Sequence, residues 1–285
     1  MLKDSFIHFN KKKETSNYTR MYSDKNLKEF YPANLKRFEI IEKLIKQKKP
    51  KKIIDAGCGA GLPLIKLKKK GYNIIGYDNS NNMVKEAQKN LVENNFSKSL
   101  IFKGNFENPS FIKDNSVECI IGLGTFYYSR NFNNTLKNQV KKLKKNGKLI
   151  FSLRNELFDI STFNEYSEKF FSNLYKIDSK NNFIKSKFKK IFKEYFKSKS
   201  NMQKNIDQKK VFSLKHNPLT FEKEVCEKLK LKLNNIYFYH FHSLPPYFEK
   251  KNKFKYRKES IKLENPNDWR GIFLASAFVV DCSKK

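Results

Sequence analysis

The segment Lys51–Asp78, KKIIDAGCGAGLPLIKLKKKGYNIIGYD, constrains the fold more than any other part of the sequence. A short apolar run leads to Asp55, and three glycines then follow at every second position. Apolar residues at helical spacing come next, and Pro63 suits the first turn of a helix, where a missing N–H loses no hydrogen bond. Gly71 ends this helix, and a second apolar strand runs to Asp78. This order predicts half of a doubly wound α/β nucleotide-binding unit.

The glycine loop narrows the choice of ligand. Glycine lets the backbone turn sharply and approach a bound molecule without a Cβ in the way. Leu62 stands where the third glycine of a dinucleotide fingerprint belongs, and no Gly-Lys-Ser/Thr triplet of a phosphate-binding loop follows. What remains is D-x-G-x-G-x-G, with Asp78 seventeen positions after Gly61. From Lys51 to about Phe151 the chain resembles class I S-adenosylmethionine-dependent methyltransferases, in motif I and in the acidic end of strand two.

The resemblance implies a Rossmann-like α/β fold, with a doubly wound seven-stranded sheet, an antiparallel last strand and a helical lid insertion. It also implies S-adenosyl-L-methionine as methyl donor and S-adenosyl-L-homocysteine as product. A carboxylate at Asp78 would accept hydrogen bonds from both ribose hydroxyls. Asn105 stands where similar enzymes usually carry an aspartate against the adenine amino group, and a turn role is the alternative. The cofactor-binding residues implied in this way are Asp55, Gly57, Cys58, Gly59, Gly61, Asp78, Asn79, Asn105, Phe106 and Gly122.

Periodicity divides the chain into four parts, namely an arm and cap helix (1–48), a cofactor-binding core (49–153), a helical lid (154–215) and a C-terminal completion of the sheet (216–285). Strand and helix patterns alternate in the core, which predicts a mostly parallel sheet. Aromatic residues at helical spacing predict helices in the lid. The resemblance implies that they select the acceptor, and a helical hairpin simply packed on the sheet is the alternative. The predicted elements include a helix at Thr135–Lys145 stopped by Asn146-Gly147, a helix at Phe221–Leu231 capped by Thr220, and strands at Asn235–His242 and Gly271–Asp281.

Composition sets the chemical context of the chain. The formal net charge is +32, but only six of the 60 basic residues are arginine, and lysine is spread along the whole sequence. A spread charge favours a solvated surface over a nucleic-acid footprint, which stays possible but is not favoured. The four cysteines are distant in sequence and predict reduced thiols in a cytoplasmic protein, without a zinc site. We expect no signal peptide and no membrane span, and a monomer or a homodimer.

Several side chains are candidates for the chemistry of methyl transfer. His240 and His242 share one face of a predicted strand and, with Tyr127, are the predicted catalytic residues; packing or surface roles are the alternative. Two histidines could also hold a metal, but no third ligand is spaced with them, so no metal is predicted. Tyr18, Tyr22 and Tyr31 could cover the cofactor or serve ordinary packing. The predicted acceptor-binding residues are Arg154, Glu156, Trp269 and Arg270, of which Arg154 suits a phosphate or carboxylate.

The predicted activity is methyl transfer to a small molecule, such as a hydroxyl of a sugar or another metabolite. This prediction depends on the helical insertion and on the lack of an added RNA-binding domain in the sequence. Two alternatives stay open at this point. One is an RNA or protein methyltransferase that uses the basic surface, and the other is a non-catalytic protein that keeps the nucleotide-binding fold.

Overall fold

The computed structural model describes residues 5–11, 20–22, 27–196 and 211–285. Seven strands form one sheet in the order β3-β2-β1-β4-β5-β8-β7, and the short strand β6 pairs with β5. Strand β8 runs antiparallel to β5 and β7, whereas the other pairs are parallel. The predicted α/β sheet and its antiparallel last strand are confirmed. The strands are β1 (Ile53–Ala56), β2 (Ile74–Asp78), β3 (Ile101–Lys103), β4 (Val117–Gly122), β5 (Leu143–Asn155), β6 (Lys215–His216), β7 (Leu231–Phe241) and β8 (Ala275–Lys284).

Helices cover both faces of this sheet. One apolar cluster on the sheet contains Phe126, Phe151 and Phe278, and a second contains Ile41 and Leu64. Strand β1 is buried on both faces, which explains its continuous apolar sequence. The helices are α1 (Ser5–Phe9), α2 (Ala33–Lys48), α3 (Leu62–Lys69), α4 (Asn81–Glu93), α5 (Phe132–Lys142), α6 (Glu165–Leu174), α7 (Asn182–Phe196), α8 (Lys253–Lys262) and α9 (Gly271–Leu274). Within the described residues, no helix is long and apolar enough to cross a bilayer.

Three predicted element boundaries are wrong. Helix α5 ends at Lys142 and β5 begins at once, so Asn146, with a φ of 61°, lies within β5 instead of stopping a helix. Thr220 caps no helix, because its buried hydroxyl has no hydrogen-bond partner among the described residues, and a π-helical turn begins at Glu222. The start of the last predicted strand is helix α9, and β8 begins only at Ala275.

The predicted alternation of side chains along β7 is also wrong at its end. Phe238 and Phe241 pack into the same apolar cluster, although alternation places them on opposite faces. His240 between them has a φ of 63°, in the left-handed region that few residues with a side chain adopt. The local change of backbone direction turns Phe241 into the core and alters where the two histidines of this strand lie.

The region after β5 is helical, as predicted. Helix α6 packs on the helical turns at 157–162, where Ser167 donates a hydrogen bond from its hydroxyl to the carbonyl of Asp159 at 2.7 Å. Helix α7 shows no buried side chain over residues 182–194. Residues 197–210 of the predicted lid lie outside the described residues. Helix α7 therefore does not fit the alternative prediction, a helical hairpin packed on the sheet.

The four cysteines are buried and carry free thiols. Cys226 and Cys282 are distant in sequence, yet their sulfur atoms lie 3.5 Å apart. The hydrogen bond with Cys226, together with burial, raises the pKa of the Cys282 thiol.

Candidate active site

A cavity opens at the carboxyl ends of β1, β2 and β4. Open α/β sheets bind their ligands at this edge. The cavity wall combines loop backbone, one carboxylate and aromatic rings. This surface suits a ligand with polar and apolar parts. Its walls are formed by Phe9, Gly57, Gly59, Asp78, Asn79, Ser80, Met83, Phe106, Gly124, Thr125 and Tyr128.

The glycine loop after β1 forms one wall. The backbone N–H groups of Gly57 and Cys58 both donate to the carbonyl of Tyr77, at 2.8 and 3.0 Å, which ties the loop to β2. Gly57 has a φ of 73°, and a Cβ at this position would lie 2.5 Å from the hydroxyl oxygen of Thr125. A side chain therefore meets both backbone strain and a steric clash at this position.

Two acids lie at the ends of adjacent strands. Asp78 Oδ2 accepts a hydrogen bond from the Gly59 N–H at 2.9 Å, and Oδ1 accepts from the Ser80 N–H at 2.8 Å. Burial raises the pKa of Asp78, and these backbone bonds oppose the shift. Asp55 is buried, and neither of its carboxylate oxygens accepts a hydrogen bond from the described part of the chain. Burial and the nearby Asp78 raise the pKa of Asp55 to about 7, against an opposing effect of Arg37.

The structure brings together only part of the predicted cofactor-binding set. Gly57, Gly59, Asp78, Asn79 and Phe106 line the cavity, and Asp55 lies at the end of the neighbouring strand. The remaining predicted residues lie outside the lining. Cys58 lies against Gly76, Gly61 against Ala87 and Ile101, and Gly122 against the Phe126 ring. Asn105 lies in an exposed turn, where its Oδ1 accepts a hydrogen bond from the Glu107 N–H at 2.9 Å.

The lining also includes residues outside the predicted site set. Gly124, Thr125 and Tyr128 follow β4 directly, in the region that the resemblance implies lies beneath the sulfonium and near the acceptor. Phe9 had no comparable signal, because it reaches the cavity from the distant N-terminal arm. Its ring meets Tyr128 edge to face at 5.4 Å, and its carbonyl accepts a hydrogen bond from the Ser80 hydroxyl at 3.2 Å. The arm is thus attached at the N-terminus of α4.

Of the three tyrosines considered as a cover for the cofactor, Tyr22 and Tyr31 have other contacts. Tyr18 lies outside the described residues. Tyr22 is buried, and its hydroxyl accepts a hydrogen bond from Arg37 Nη2 at 2.7 Å. Tyr31 stacks on the His240 ring at 4.5 Å and donates its hydroxyl hydrogen to Glu264. Neither Tyr22 nor Tyr31 lines the cavity.

A polar cluster adjoins the cavity at the end of β5. The Arg154 guanidinium lies over the Tyr127 ring, 5.1 Å from its centroid, and lies close enough to Tyr128, which lines the cavity, to oppose the rise of its pKa. Tyr127 is buried, and its hydroxyl oxygen would lie 3.2 Å from a Cβ at Gly124. The cluster therefore offers a cation and two phenolic hydroxyls immediately beside the cavity wall.

The two predicted catalytic histidines form a stack with Tyr31. His240 lies 4.5 Å from the ring of Tyr31 and 4.7 Å from that of His242. Burial, together with Arg154 and Arg257, lowers the pKa of His240 to about 4. Burial and the neighbouring His240 lower the pKa of His242. Both imidazoles are therefore neutral at pH 7, and neither lines the cavity itself.

The hydrogen bonds of His242 determine its tautomer. Tyr256 donates its hydroxyl hydrogen to the carbonyl of Leu244 at 2.7 Å, so its oxygen must accept from His242 Nδ1, which is 2.8 Å away. Nδ1 then carries the proton, and Nε2 keeps a lone pair. Nε2 is buried and finds no hydrogen-bond partner within the described ranges.

The other predicted acceptor-binding residues lie outside the lining of the cavity. Burial, Asp159 and Glu224 raise the pKa of Glu156, whereas Lys215 opposes this shift. Trp269 is 69% exposed, and the guanidinium of Arg270 pairs with Asp268 at 2.6 Å. Within the described residues, no three side chains of the types that bind metals converge on one point.

Comparisons with known proteins agree with this geometry. Residues 54–151 match a family model described as a methyltransferase domain. A search of curated proteins finds no match. Solved structures share the fold at low identity, and their likeness concerns the fold alone. They include magnesium protoporphyrin IX methyltransferase from Synechocystis with bound S-adenosylhomocysteine (12% identity, 98% of both chains, TM-score 0.57) and a possible histamine N-methyltransferase from Thermotoga maritima (17% identity, 98% of this chain and 99% of the other, TM-score 0.56).

Proposed function

We propose that this chain, a class I S-adenosylmethionine-dependent methyltransferase, methylates a hydroxyl group of a small acceptor that also carries a carboxylate or phosphate. The observation that supports this acceptor class is the position of Arg154. Its guanidinium adjoins Tyr128, a residue of the cavity wall, at the carboxyl end of β5.

The residues of the cavity fit S-adenosylmethionine. Asp78 suits the ribose hydroxyls, Phe106 suits the adenine ring, and the backbone of Gly57 and Gly59 leaves room for the methionyl part. Asp55 has two carboxylate oxygens without hydrogen bonds from the described chain, and a cationic ligand would offset their charge. When bound, the cofactor supplies an electrophilic methyl group on its sulfonium sulfur.

Arg154 is suited to an anionic acceptor. More than a third of its surface is open to solvent, and no carboxylate among the described residues forms a salt bridge with it. The guanidinium lies over a tyrosine ring, and its planar fork of N–H groups matches the two oxygens of a carboxylate or phosphate. An acceptor bound there would lie beside the cavity wall.

The neutral histidines and Tyr127 fit the handling of a hydroxyl acceptor. His240 is more accessible than His242 and lies close enough to Arg154 for the guanidinium to lower its pKa. A neutral imidazole can accept a hydrogen bond, and then the proton, from a hydroxyl that attacks carbon. His242 would hold the His240 ring in place from behind, and the Tyr127 hydroxyl would orient the acceptor near Gly124. Positioning of this kind supplies much of the rate of an in-line displacement.

The test is methyl transfer from labelled S-adenosylmethionine to a panel of hydroxy metabolites with and without an anionic group. We expect product only with anionic acceptors. Arg154→Gln should raise their KM at least about tenfold while leaving cofactor affinity unchanged, because a charge-assisted contact contributes roughly 1.5–3 kcal/mol. Arg130→Gln is the matched control, since Arg130 is exposed and stacks on Phe212. Equal KM values for the two variants would refute the assignment of Arg154.

RNA or protein remains a second acceptor class, and the lysines of helix α7 favour it. Five lysines, at positions 185, 187, 189, 190 and 193, lie on this helix of the predicted lid. An RNA-binding surface predicts that affinity falls steeply with salt, and label transfer to RNA would then replace transfer to small molecules. The same helix exposes large apolar side chains, however, and phosphate binding does not account for them.

A further inference from the structure

Helix α7 is amphipathic, although the chain described here does not cover its apolar half. With 100° between successive residues, Phe183, Ile184, Phe188, Ile191 and Phe192 fall on one half of the helix. Four of its five lysines, at positions 185, 189, 190 and 193, fall on the other half or at its edges. Helices of this pattern in globular proteins normally bury the apolar side against a core.

Within the described residues, the aromatic contacts between this apolar half and α6 lie at one edge. The Phe192 ring lies 4.9 Å from Phe188 and 6.1 Å from Phe171 of α6. The other edge faces solvent, where Phe183 is 68% and Ile191 62% exposed. At the end of α6, Leu174 and Tyr175 are each 59% exposed. We call the side chains of Leu174, Tyr175, Phe183, Ile184 and Ile191 the apolar face of the α6–α7 pair.

The next part of the chain is unsuited to cover this face. Residues 197–210 have the sequence KSKSNMQKNIDQKK, in which Met202 and Ile206 are the only large apolar residues. The segment adds five lysines against one aspartate. It therefore adds positive charge close in sequence to α7 and offers little apolar area to bury.

From these observations we infer that the α6–α7 pair docks this protein onto the surface of an anionic lipid membrane. Large apolar side chains beside lysine-rich flanks are the pattern of helices that lie in the interface plane, with the apolar half among the acyl chains. The lysines add attraction to anionic head groups. Nucleic acid matches the lysines alone, because the aliphatic side chains of Leu174, Ile184 and Ile191 cannot stack on bases as aromatic rings do.

The position of the pair gives this docking a consequence for the enzyme. The parallel strands β1, β2, β4 and β5 end at the same edge of the sheet, and the cavity opens there. The α6–α7 pair follows β5 at this edge, connected through the turns at 157–162. A membrane bound by the pair would therefore lie on the cavity side of the protein and not behind the sheet.

Charge alone cannot test the proposal, because a formal net charge of +32 attracts the protein to any anionic surface. The full chain is therefore floated with phosphatidylcholine vesicles that contain or lack phosphatidylglycerol, as wild type and as the double variant Phe183→Ser/Ile191→Ser. We expect binding to the anionic vesicles, and an affinity at least about tenfold lower in the double variant, because two buried apolar side chains are lost. The matched control is Val92→Ser/Leu219→Ser, two exposed apolar residues elsewhere, which should bind as the wild type does.

A fluorescence measurement distinguishes insertion from adsorption. In a Trp269→Phe background, which removes the one native tryptophan, tryptophan is placed at position 183 or, as control, at position 219. We expect anionic vesicles to shift the emission of Phe183→Trp to the blue and to leave that of Leu219→Trp unchanged. Equal shifts at the two positions, an unaffected double variant, or binding to RNA without binding to vesicles would each overturn the proposal. Unchanged S-adenosylhomocysteine affinity in the double variant shows that it is folded.

Discussion

The carboxylate of Asp78 accepts a hydrogen bond from the backbone N–H of Gly59 at 2.9 Å, so the end of β2 holds the glycine loop that follows β1. Its second oxygen accepts from the Ser80 N–H at the start of α4. One side chain therefore connects three segments of the cavity wall. Because the same carboxylate lines the cavity, the loop and the acid are in place before a ligand arrives.

Replacement of this carboxylate tests its assigned role toward the cofactor. Asp78→Ala should weaken binding of S-adenosylmethionine and S-adenosylhomocysteine at least about tenfold, because hydrogen bonds to a charged group contribute roughly 1.5–3 kcal/mol each. Calorimetric titration measures the effect. Asp114→Ala is the control, since Asp114 is exposed and pairs with Lys142 far from the cavity. If the two variants bind the cofactor equally well, Asp78 does not bind the ribose.

Substitutions of Gly57 and Gly71 distinguish the effect of backbone strain from that of a steric clash. Both have positive φ, of 73° and 85°, but a Cβ at Gly57 meets Thr125, whereas one at Gly71 meets nothing within 4 Å. Gly71→Ala should therefore lower the free energy of unfolding by about 1–2 kcal/mol and leave cofactor affinity unchanged. Gly57→Ala should cost more stability and also weaken cofactor binding, as urea unfolding and calorimetry would show. Thr125→Ala in the Gly57→Ala background should restore part of the loss, and no restoration would contradict the assigned clash.

Asp55 should make stability depend on pH. Its folded pKa of about 7 lies above the ordinary aspartate pKa of 3.8, so the folded state retains a proton that the unfolded state has lost. The free energy of unfolding of the wild type, relative to Asp55→Asn, should fall as pH rises from 5 to about 7 and level off above. The fall should be on the order of 2 kcal/mol without cofactor.

Urea unfolding across this pH range measures the difference between the two proteins. Subtracting the Asp55→Asn curve removes the opposite contribution of His240, whose lowered pKa makes stability rise with pH between about 4 and 6.5. Asp78 and Arg37 face Asp55 and are unchanged in both proteins. Parallel curves would show that Asp55 stays ionised throughout.

The Tyr256 hydroxyl should be needed as the hydrogen-bond acceptor of the His242 Nδ1–H. Tyr256→Phe leaves the buried Nδ1–H of His242 without the acceptor that lies 2.8 Å away, which should cost about 1–3 kcal/mol of unfolding free energy. Tyr247→Phe removes a hydroxyl from the adjacent turn and should change stability by no more than about 0.5 kcal/mol. Nitrogen-15 NMR of the wild type should show His242 neutral, with its proton on Nδ1. A proton on Nε2 would reverse the assigned direction of this hydrogen-bond chain.

The predicted parts of the site are those whose physical requirement is local. Gly57 and Gly59 stand in a short loop with positive φ, and Asp78 ends a strand that pairs directly with β1. Ser80 caps α4, because its hydroxyl accepts from the Met83 N–H at 3.2 Å. Each of these features depends on neighbours within one strand, loop and helix, so the sequence pattern is sufficient to indicate it.

The features of the site that the sequence did not predict depend on contacts between distant segments. Phe9 reaches the cavity only because the arm docks on α4, and no periodicity encodes that contact. The left-handed backbone at His240 turns Phe241 toward the core against the two-residue period of a strand. Cys58 and Gly61 belong to the motif, yet they pack away from the cavity, because half of a tight loop must face the protein.

The amino-acid sequence by itself determined the sheet, its glycine loop and the acid one strand later, since backbone geometry and local burial restrict the residues allowed at those positions. Only the tertiary structure decided that Arg154, Tyr128 and the Tyr31–His240–His242 stack adjoin one edge of the sheet, and that α7 leaves its apolar side uncovered. These relationships join segments far apart in the chain. They depend on packing in three dimensions, which the spacing of residues along the chain does not predict.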